Sequence, residues 1–156
     1  MSKKIENALI SLSDKSGIER LLKTLRKYKI NIISSGGTYK EIKKLGYKCT
    51  DISQYTKFKE MLDGRVKTLH PKIHAGILSK RSNKKHVREM RKKKFNFIDL
   101  VVVNFYPFKD TINRTKNSKM IIENIDIGGP TIVRAAAKNF NDVSIITDKK
   151  DYAKLI

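Results

Sequence analysis

Phe97-Ile98-Asp99-Leu100-Val101-Val102-Val103-Asn104-Phe105 is the stretch on which the fold turns. Its centre, Leu100 to Val103, is apolar at every position, so an extended chain here has no polar face. A strand of that kind is buried on both sides, inside a parallel sheet covered by helices above and below. Outward from it, short β-branched runs alternate with helical patterns, the rhythm of βα units. Toward the amino end, Ala8 to Leu12 and Ile30 to Ser34 read as strands. Between them Ile18, Leu21, Leu22 and Leu25 recur at helical spacing in an amphipathic segment from Ser16 to Lys29. Thr38 and Glu41 have the spacing of a capping box for a helix that stops near Gly46, and Tyr47 to Ile52 reads as a short third strand. Ser53 to Leu78 reads as loop-rich. Toward the carboxyl end, Ser118 to Asn124 and Pro130 to Asn139 are helix-like, and Val143 to Thr147 is the last strand. The expectation is one α/β domain over residues 1–156, three-layered and doubly wound, with a mostly parallel sheet.

A chain of 156 residues buries about 68–70% of its unfolded surface, enough for a sizeable core. Hydrophobic residues at 39% against 32% charged exclude the disordered, collagenous and low-complexity classes. The longest apolar run, Leu100 to Val103, is far below the ~20 residues of a membrane helix, and Ser11, Ser13 and Asp14 interrupt the amino-terminal one. A cytoplasmic protein with no membrane partner is expected. Cys49 is the single cysteine, and no His or Cys pair has zinc spacing, so neither an internal disulfide nor a structural metal is expected. The net charge of +20 invites a nucleic-acid partner. Its texture argues otherwise: 27 of the 35 cations are Lys and only 8 are Arg, the residue suited to bidentate reading of phosphates and bases. With 20 Ile as well, the bias is that of AT-rich codons, and no specific nucleic acid is expected. The densest run, Lys80 to Lys94, reads as an exposed basic helix around His86, Val87 and Met90.

Ligands of open parallel sheets bind beyond the carboxyl ends of the strands. Those ends carry Ser11-Leu12-Ser13-Asp14-Lys15, Ser34-Ser35-Gly36-Gly37-Thr38, Asn104-Phe105-Tyr106-Pro107 and Thr147-Asp148. Ser35 to Thr38 combines hydroxyls and glycines before a helix, a phosphate cradle if Lys15 faces it and a plain connection if it does not. Gly64-Arg65-Val66-Lys67-Thr68-Leu69-His70-Pro71 carries two cations on alternate residues, suited to an anionic substrate if extended. His70 and His74 have helical metal spacing, but Pro71 between them and no carboxylate nearby make them structural. Asp126-Ile127-Gly128-Gly129-Pro130-Thr131 leads into a helix whose first amides suit an oxyanion, and Asp126 taken alone is a helix cap.

In this order along nearly the whole chain, these segments, together with Arg134-Ala135-Ala136-Ala137-Lys138-Asn139, resemble the inosine monophosphate cyclohydrolase family. That domain forms the amino-terminal half of a bifunctional purine-biosynthesis enzyme whose other half is a folate-dependent transformylase. The resemblance implies the three-layer fold of methylglyoxal synthase and of the carbamoyl phosphate synthetase regulatory domain. It also implies dehydrative closure of a formamido-imidazole-carboxamide ribonucleotide, a small purine nucleotide precursor, to inosine monophosphate. No cofactor enters that step; folate serves only the transformylase.

Carried over by motif, Ser13, Asp14, Lys15, Ser35, Gly36, Gly37 and Thr38 bind the nucleotide, chiefly its phosphate. Arg65, Lys67 and Thr68 extend that binding, with Lys67 also near the formyl group. Asn104 and Tyr106 hold the base, and Asp126 and Lys138 form a proton-transfer pair beside Ile127 and Gly128. The resemblance leaves open which of Lys67, Asp126 and Lys138 moves which proton. Spacing alone puts Lys138 more than two turns from the helix start, so it must fold back into the cleft beside Lys67, or be completed by ligand or a second subunit. The family's domain runs beyond Ile156, so the expectation is a domain incomplete at its carboxyl end, with the transformylase absent and a homodimer or a transformylase, attached or separate, as partner. The rival readings are a methylglyoxal synthase-like enzyme, a regulatory module that binds nucleotides without turning them over, and a nucleic-acid-binding protein.

Overall fold

The computed structural model describes residues 4–155. In chain order the elements are β1 (Asn7–Leu12), α1 (Ile18–Lys27), β2 (Asn31–Ser34), α2 (Gly36–Lys44), β3 (Thr50–Asp51), α3 (Ile52–Thr56) and α4 (Pro71–Leu78). They continue as α5 (Lys84–Lys93), β4 (Leu100–Asn104), α6 (Phe108–Arg114), α7 (Ser118–Glu123), α8 (Gly128–Lys138), β5 (Ser144–Ile146) and α9 (Tyr152–Leu155). The five strands form one sheet in the order β3-β2-β1-β4-β5, every pair parallel.

The twofold alternation of strand side chains sorts the core into two layers. Ala8, Ile10, Leu12, Leu100 and Val102 face α1 through Ile18, Leu21, Leu22 and Leu25, with Ile42 of α2 and Tyr152 of α9 beside them. Leu9, Ile33, Val101 and Val103 face the opposite side, against Ile73 and Ile77 of α4 and Ile132, Ala135 and Ala136 of α8. β4 therefore lies inside the sheet, between β1 and β5, buried on both faces as its apolar run requires. The small side chains of Ala135 and Ala136 bring α8 close to the sheet.

Local chemistry moved several boundaries. β3 is two residues long rather than Tyr47 to Ile52, because Asp51 turns to cap α3, accepting from the Ser53 amide at 2.9 Å. Ser53 to Leu78 is loop-rich only over residues 57–70; its two ends are helical, as α3 and α4. His70 caps α4 by accepting the Lys72 amide on Nδ1 at 3.1 Å, and Pro71 fits the first turn, where no amide is needed. α2 starts at Gly36, two residues before the expected cap. Thr38 is thus inside it, and no capping box forms. α8 starts at Gly128 rather than Pro130, and α6 had no sequence signal. α5 matches the basic run, burying only Met90. Among the described residues no helix is long and apolar enough to cross a membrane.

Candidate active site

β1 and β4 are adjacent, yet the chain leaves β1 for β2 on one side and leaves β4 for β5 on the other. Loops diverge at such a switch point and open a crevice at the carboxyl ends of the strands. The crevice is present as a cleft of about 680 Å³ lined by the residues after β1, β2 and β4, by residues 63–68, and by residues 122–129. Leu12 and Asn104 pair across its floor. Asn104 lines the cleft, and its carboxamide bonds to the backbone after β1. Its Oδ1 accepts from the amides of Ser13 at 2.6 Å and Asp14 at 3.1 Å, and its Nδ2 donates to the Asp14 carbonyl at 2.7 Å, so it shapes the turn after β1.

That turn aims Lys15 at the amino end of α2. Lys15 Nζ lies 3.6 Å from where a Gly37 β-carbon would stand and donates to the Ser13 carbonyl at 3.1 Å. Lys67 Nζ arrives from the 63–68 segment, 3.4 Å from the corresponding position on Gly36. The first helical bond of α2 runs from the Tyr39 amide to the Ser35 carbonyl, leaving the amides of Gly36, Gly37 and Thr38 without acceptors among the described residues. Three free amides, two ammonium groups and no acidic residue in the first turn make a site for a multiply charged oxyanion. The condition set by the sequence, that Lys15 face the Ser35 loop, is met.

The Thr38 hydroxyl is not free for a ligand. Buried, it donates to the Leu12 carbonyl at 3.0 Å and accepts the Leu12 amide at 2.9 Å, fastening α2 to β1. Asp14 also stands outside the cleft lining, accepting from the Ser16 amide and from Lys149 Nζ, both at 2.9 Å. Those bonds, the Ser16 amide first, hold its carboxyl well below the usual range.

The opposite wall belongs to the start of α8 and to α7. Thr68 is buried against Gly128, where a β-carbon would stand 2.5 Å from its hydroxyl oxygen. Asp126 caps the helix, accepting the Gly129 amide at 2.9 Å on Oδ1. Ile127 and Tyr106, both largely exposed, complete this wall. Arg65 is not extended alongside Lys67. It pairs in bidentate fashion with Glu123 of α7, Nε to Oε1 at 3.1 Å, while Lys67 pairs with Glu60 at 2.7 Å. The hydrogen bonds from Arg65 hold the Glu123 carboxyl below its ordinary range. Lys138 is exposed on the last turn of α8, while the cleft meets the first turn; the two ends do not meet within one chain, and Lys138 does not fold back beside Lys67.

A family model for the MGS-like domain matches residues 17–131, about three quarters of the chain. The chain belongs to the MGS-like domain family. Bifunctional purine biosynthesis protein PurH of Clostridium perfringens is 53% identical to this MGS-like domain over 151 residues, 97% of the chain and 30% of the relative. PurH of Acetivibrio thermocellus is 52% identical over 153 residues with the same coverage. The domain thus spans less than a third of these relatives, in their amino-terminal region. A crystal structure of ForH superposes with a TM-score of 0.83 at 32% identity, over 96% of this chain and 77% of that one.

Two carboxylates that pair with site cations of this MGS-like domain carried no sequence signal, Glu60 behind the cleft and Glu123 in its lining. Each lies far from its partner's motif or looks like one more charge on a polar segment, and only the folded path brings it to a cation. His70 serves as a helix cap and touches the Phe58 ring, and no cluster able to hold a metal forms among the described residues. Cys49 is half-buried, and its thiol is pushed up to about 12 by burial, with the Asp51 charge adding to it. It is no nucleophile at neutral pH.

Proposed function

We propose that the chain is the ring-closing unit of purine biosynthesis, converting 5-formamido-1-(5-phospho-ribosyl)imidazole-4-carboxamide to inosine monophosphate. The observation that carries the reading is the convergence of Lys15, Lys67 and three free amides of α2 at one end of a cleft whose other end holds Asp126 and Tyr106. A phosphate suits the first end, and a planar heterocycle with transferable protons suits the second. The similarity to PurH over nearly the whole chain supports the same assignment.

In the reaction the carboxamide nitrogen bonds to the formyl carbon and loses a proton. The formyl oxygen becomes an oxyanion, then leaves as water, and the formamide nitrogen gives up its own proton. Catalysis needs a proton acceptor, a stabiliser for the oxyanion and a donor to the departing water. Asp126 offers Oδ2, since Oδ1 is bound to the Gly129 amide, and the Gly128 amide and Tyr106 hydroxyl stand nearby as donors on the same wall. Lys67 serves as a further donor between phosphate and ring. Lys138 can contribute only if a second copy delivers it. Ser13 and Asn104 act by shaping the Lys15 turn.

No cofactor is proposed for this step. A folate-dependent formyl transfer must supply the substrate, from a domain joined to this one or from a separate protein, and we place the reaction in the cytoplasm. The position of Lys138 favours one second reading, a module that binds the nucleotide without closing its ring. The absorbance change on ring closure tests both: turnover by the purified chain is expected, whereas calorimetric binding of inosine monophosphate with no turnover would select the second reading.

A further inference from the structure

Glu60 lies outside the cleft lining, and its Oε2 stands 2.7 Å from Lys67 Nζ. The two residues flank a tight hairpin. Inside them Met61 and Val66 exchange both backbone bonds, Met61 amide to Val66 carbonyl at 3.1 Å and the reverse at 3.2 Å. The turn takes Leu62 (φ 53°), Asp63 (φ 53°) and Gly64 (φ 89°) successively into the left-handed region. Aspartate tolerates that region, but a branched apolar side chain such as that of Leu62 is strained there, and contacts at the base of the hairpin help to hold it. The Glu60–Lys67 pair is the outermost of those contacts.

What the hairpin achieves is the placement of one ammonium group. Lys67 Nζ sits against the amino end of α2 at Gly36, with Lys15 Nζ against the neighbouring Gly37. Two cations and a helix amino terminus repel one another, and a lysine's flexible stem would otherwise swing its charge into water. Glu60 supplies the counter-charge from behind the cleft. An ammonium has three donors, so one bond to Glu60 leaves two for a ligand.

We propose that Glu60 is a positioning residue whose ion pair with Lys67 fixes that ammonium at the amino end of α2 for the phosphate of the substrate. This rests on the ring-closing reading only for the identity of the phosphate's bearer. Calorimetry on the full chain with inorganic phosphate, and separately with inosine monophosphate, tests it. By charge alone, removing a carboxylate near an anion site strengthens anion binding. Positioning requires the opposite: Glu60→Gln weakens both ligands about tenfold, the loss of roughly one charge-assisted bond. Glu60→Asp recovers part of the loss, and Glu60→Gln adds nothing in a Lys67→Met background. Should Glu60→Gln fail to fold, Glu60→Asp carries the test, with weakened binding that vanishes in the Lys67→Met background. Native or tighter phosphate binding by Glu60→Gln, equal losses in both backgrounds, or no phosphate binding by the parent chain overturns the proposal. Phosphate binding that depends on Glu60, without binding or formation of inosine monophosphate, overturns the ring-closing reading and leaves the role of Glu60 standing.

Discussion

Gly128 packs against Thr68 with no room for a side chain: a β-carbon on the glycine would stand 2.5 Å from the threonine hydroxyl oxygen. The contact joins the first turn of α8 to the segment that carries Lys67, so it sets the width of the cleft between them. Gly128→Ala is expected to destabilise the domain by about 1–3 kcal/mol, the cost of overpacking beside a buried, β-branched neighbour. In a Thr68→Ala background the nearest Thr68 atom is the β-carbon at 3.9 Å, an ordinary contact, so the same change costs far less there. Urea unfolding of the four proteins measures the coupling, and simple additivity would contradict the close packing.

Thr38 is expected to matter for stability rather than for ligand contact, because its hydroxyl is engaged with both backbone groups of Leu12. Thr38→Val keeps the shape and removes both bonds in a buried place, at a cost of about 1–3 kcal/mol. Inosine monophosphate binding, measured below the melting transition, should change less than an equal destabilisation elsewhere would suggest. A fully stable variant with lost affinity would return the hydroxyl to the ligand.

Asp14 makes the acid limb of stability steeper. Its carboxyl is held low by the Ser16 amide and then by Lys149, so its contribution is present above the unfolded value of about 4 and lost as pH falls toward the lower folded one. Asp14→Asn should therefore lower the melting temperature at pH 7 and flatten its decline below pH 4. The group is exposed, so the difference should shrink in 1 M salt. Parallel melting curves for parent and variant from pH 2 to pH 7 would show that the contact contributes nothing.

Lys138 stands on the far turn of α8, so Lys138→Met should leave inosine monophosphate affinity within about twofold, as expected for an exposed position. If ring closure nevertheless disappears, mixing that variant with Asp126→Asn should restore turnover, since only a shared site lets one copy supply each residue. Loss of activity without restoration on mixing would rule out delivery by a second copy.

Much of the fold was legible because it rests on local patterns. The four-residue apolar run of β4 demanded an interior strand, and the spacing of Ile18, Leu21, Leu22 and Leu25 demanded a helix with one buried face; both are backbone periodicities that tertiary contacts reinforce. Boundaries failed where a side chain chose between two backbone partners. Asp51 shortened β3 by capping α3, and Thr38 left the helix end to bond β1, choices that depend on what lies across the fold.

By itself the sequence determined the doubly wound α/β class and the edge of the sheet at which polar residues gather, since the ends of parallel strands converge whatever the detail, while the meeting of Lys15 and Lys67 at α2 was left to the fold. Tertiary structure alone decided that Asn104 turns inward to shape the Lys15 turn, that Arg65 and Lys67 part toward Glu123 and Glu60, and that Lys138 stays a helix length away from Asp126. The reason is range. Periodicity is written in neighbouring residues, whereas the partner of a charge or an amide is set by distances between segments that the chain brings together only once the core has closed.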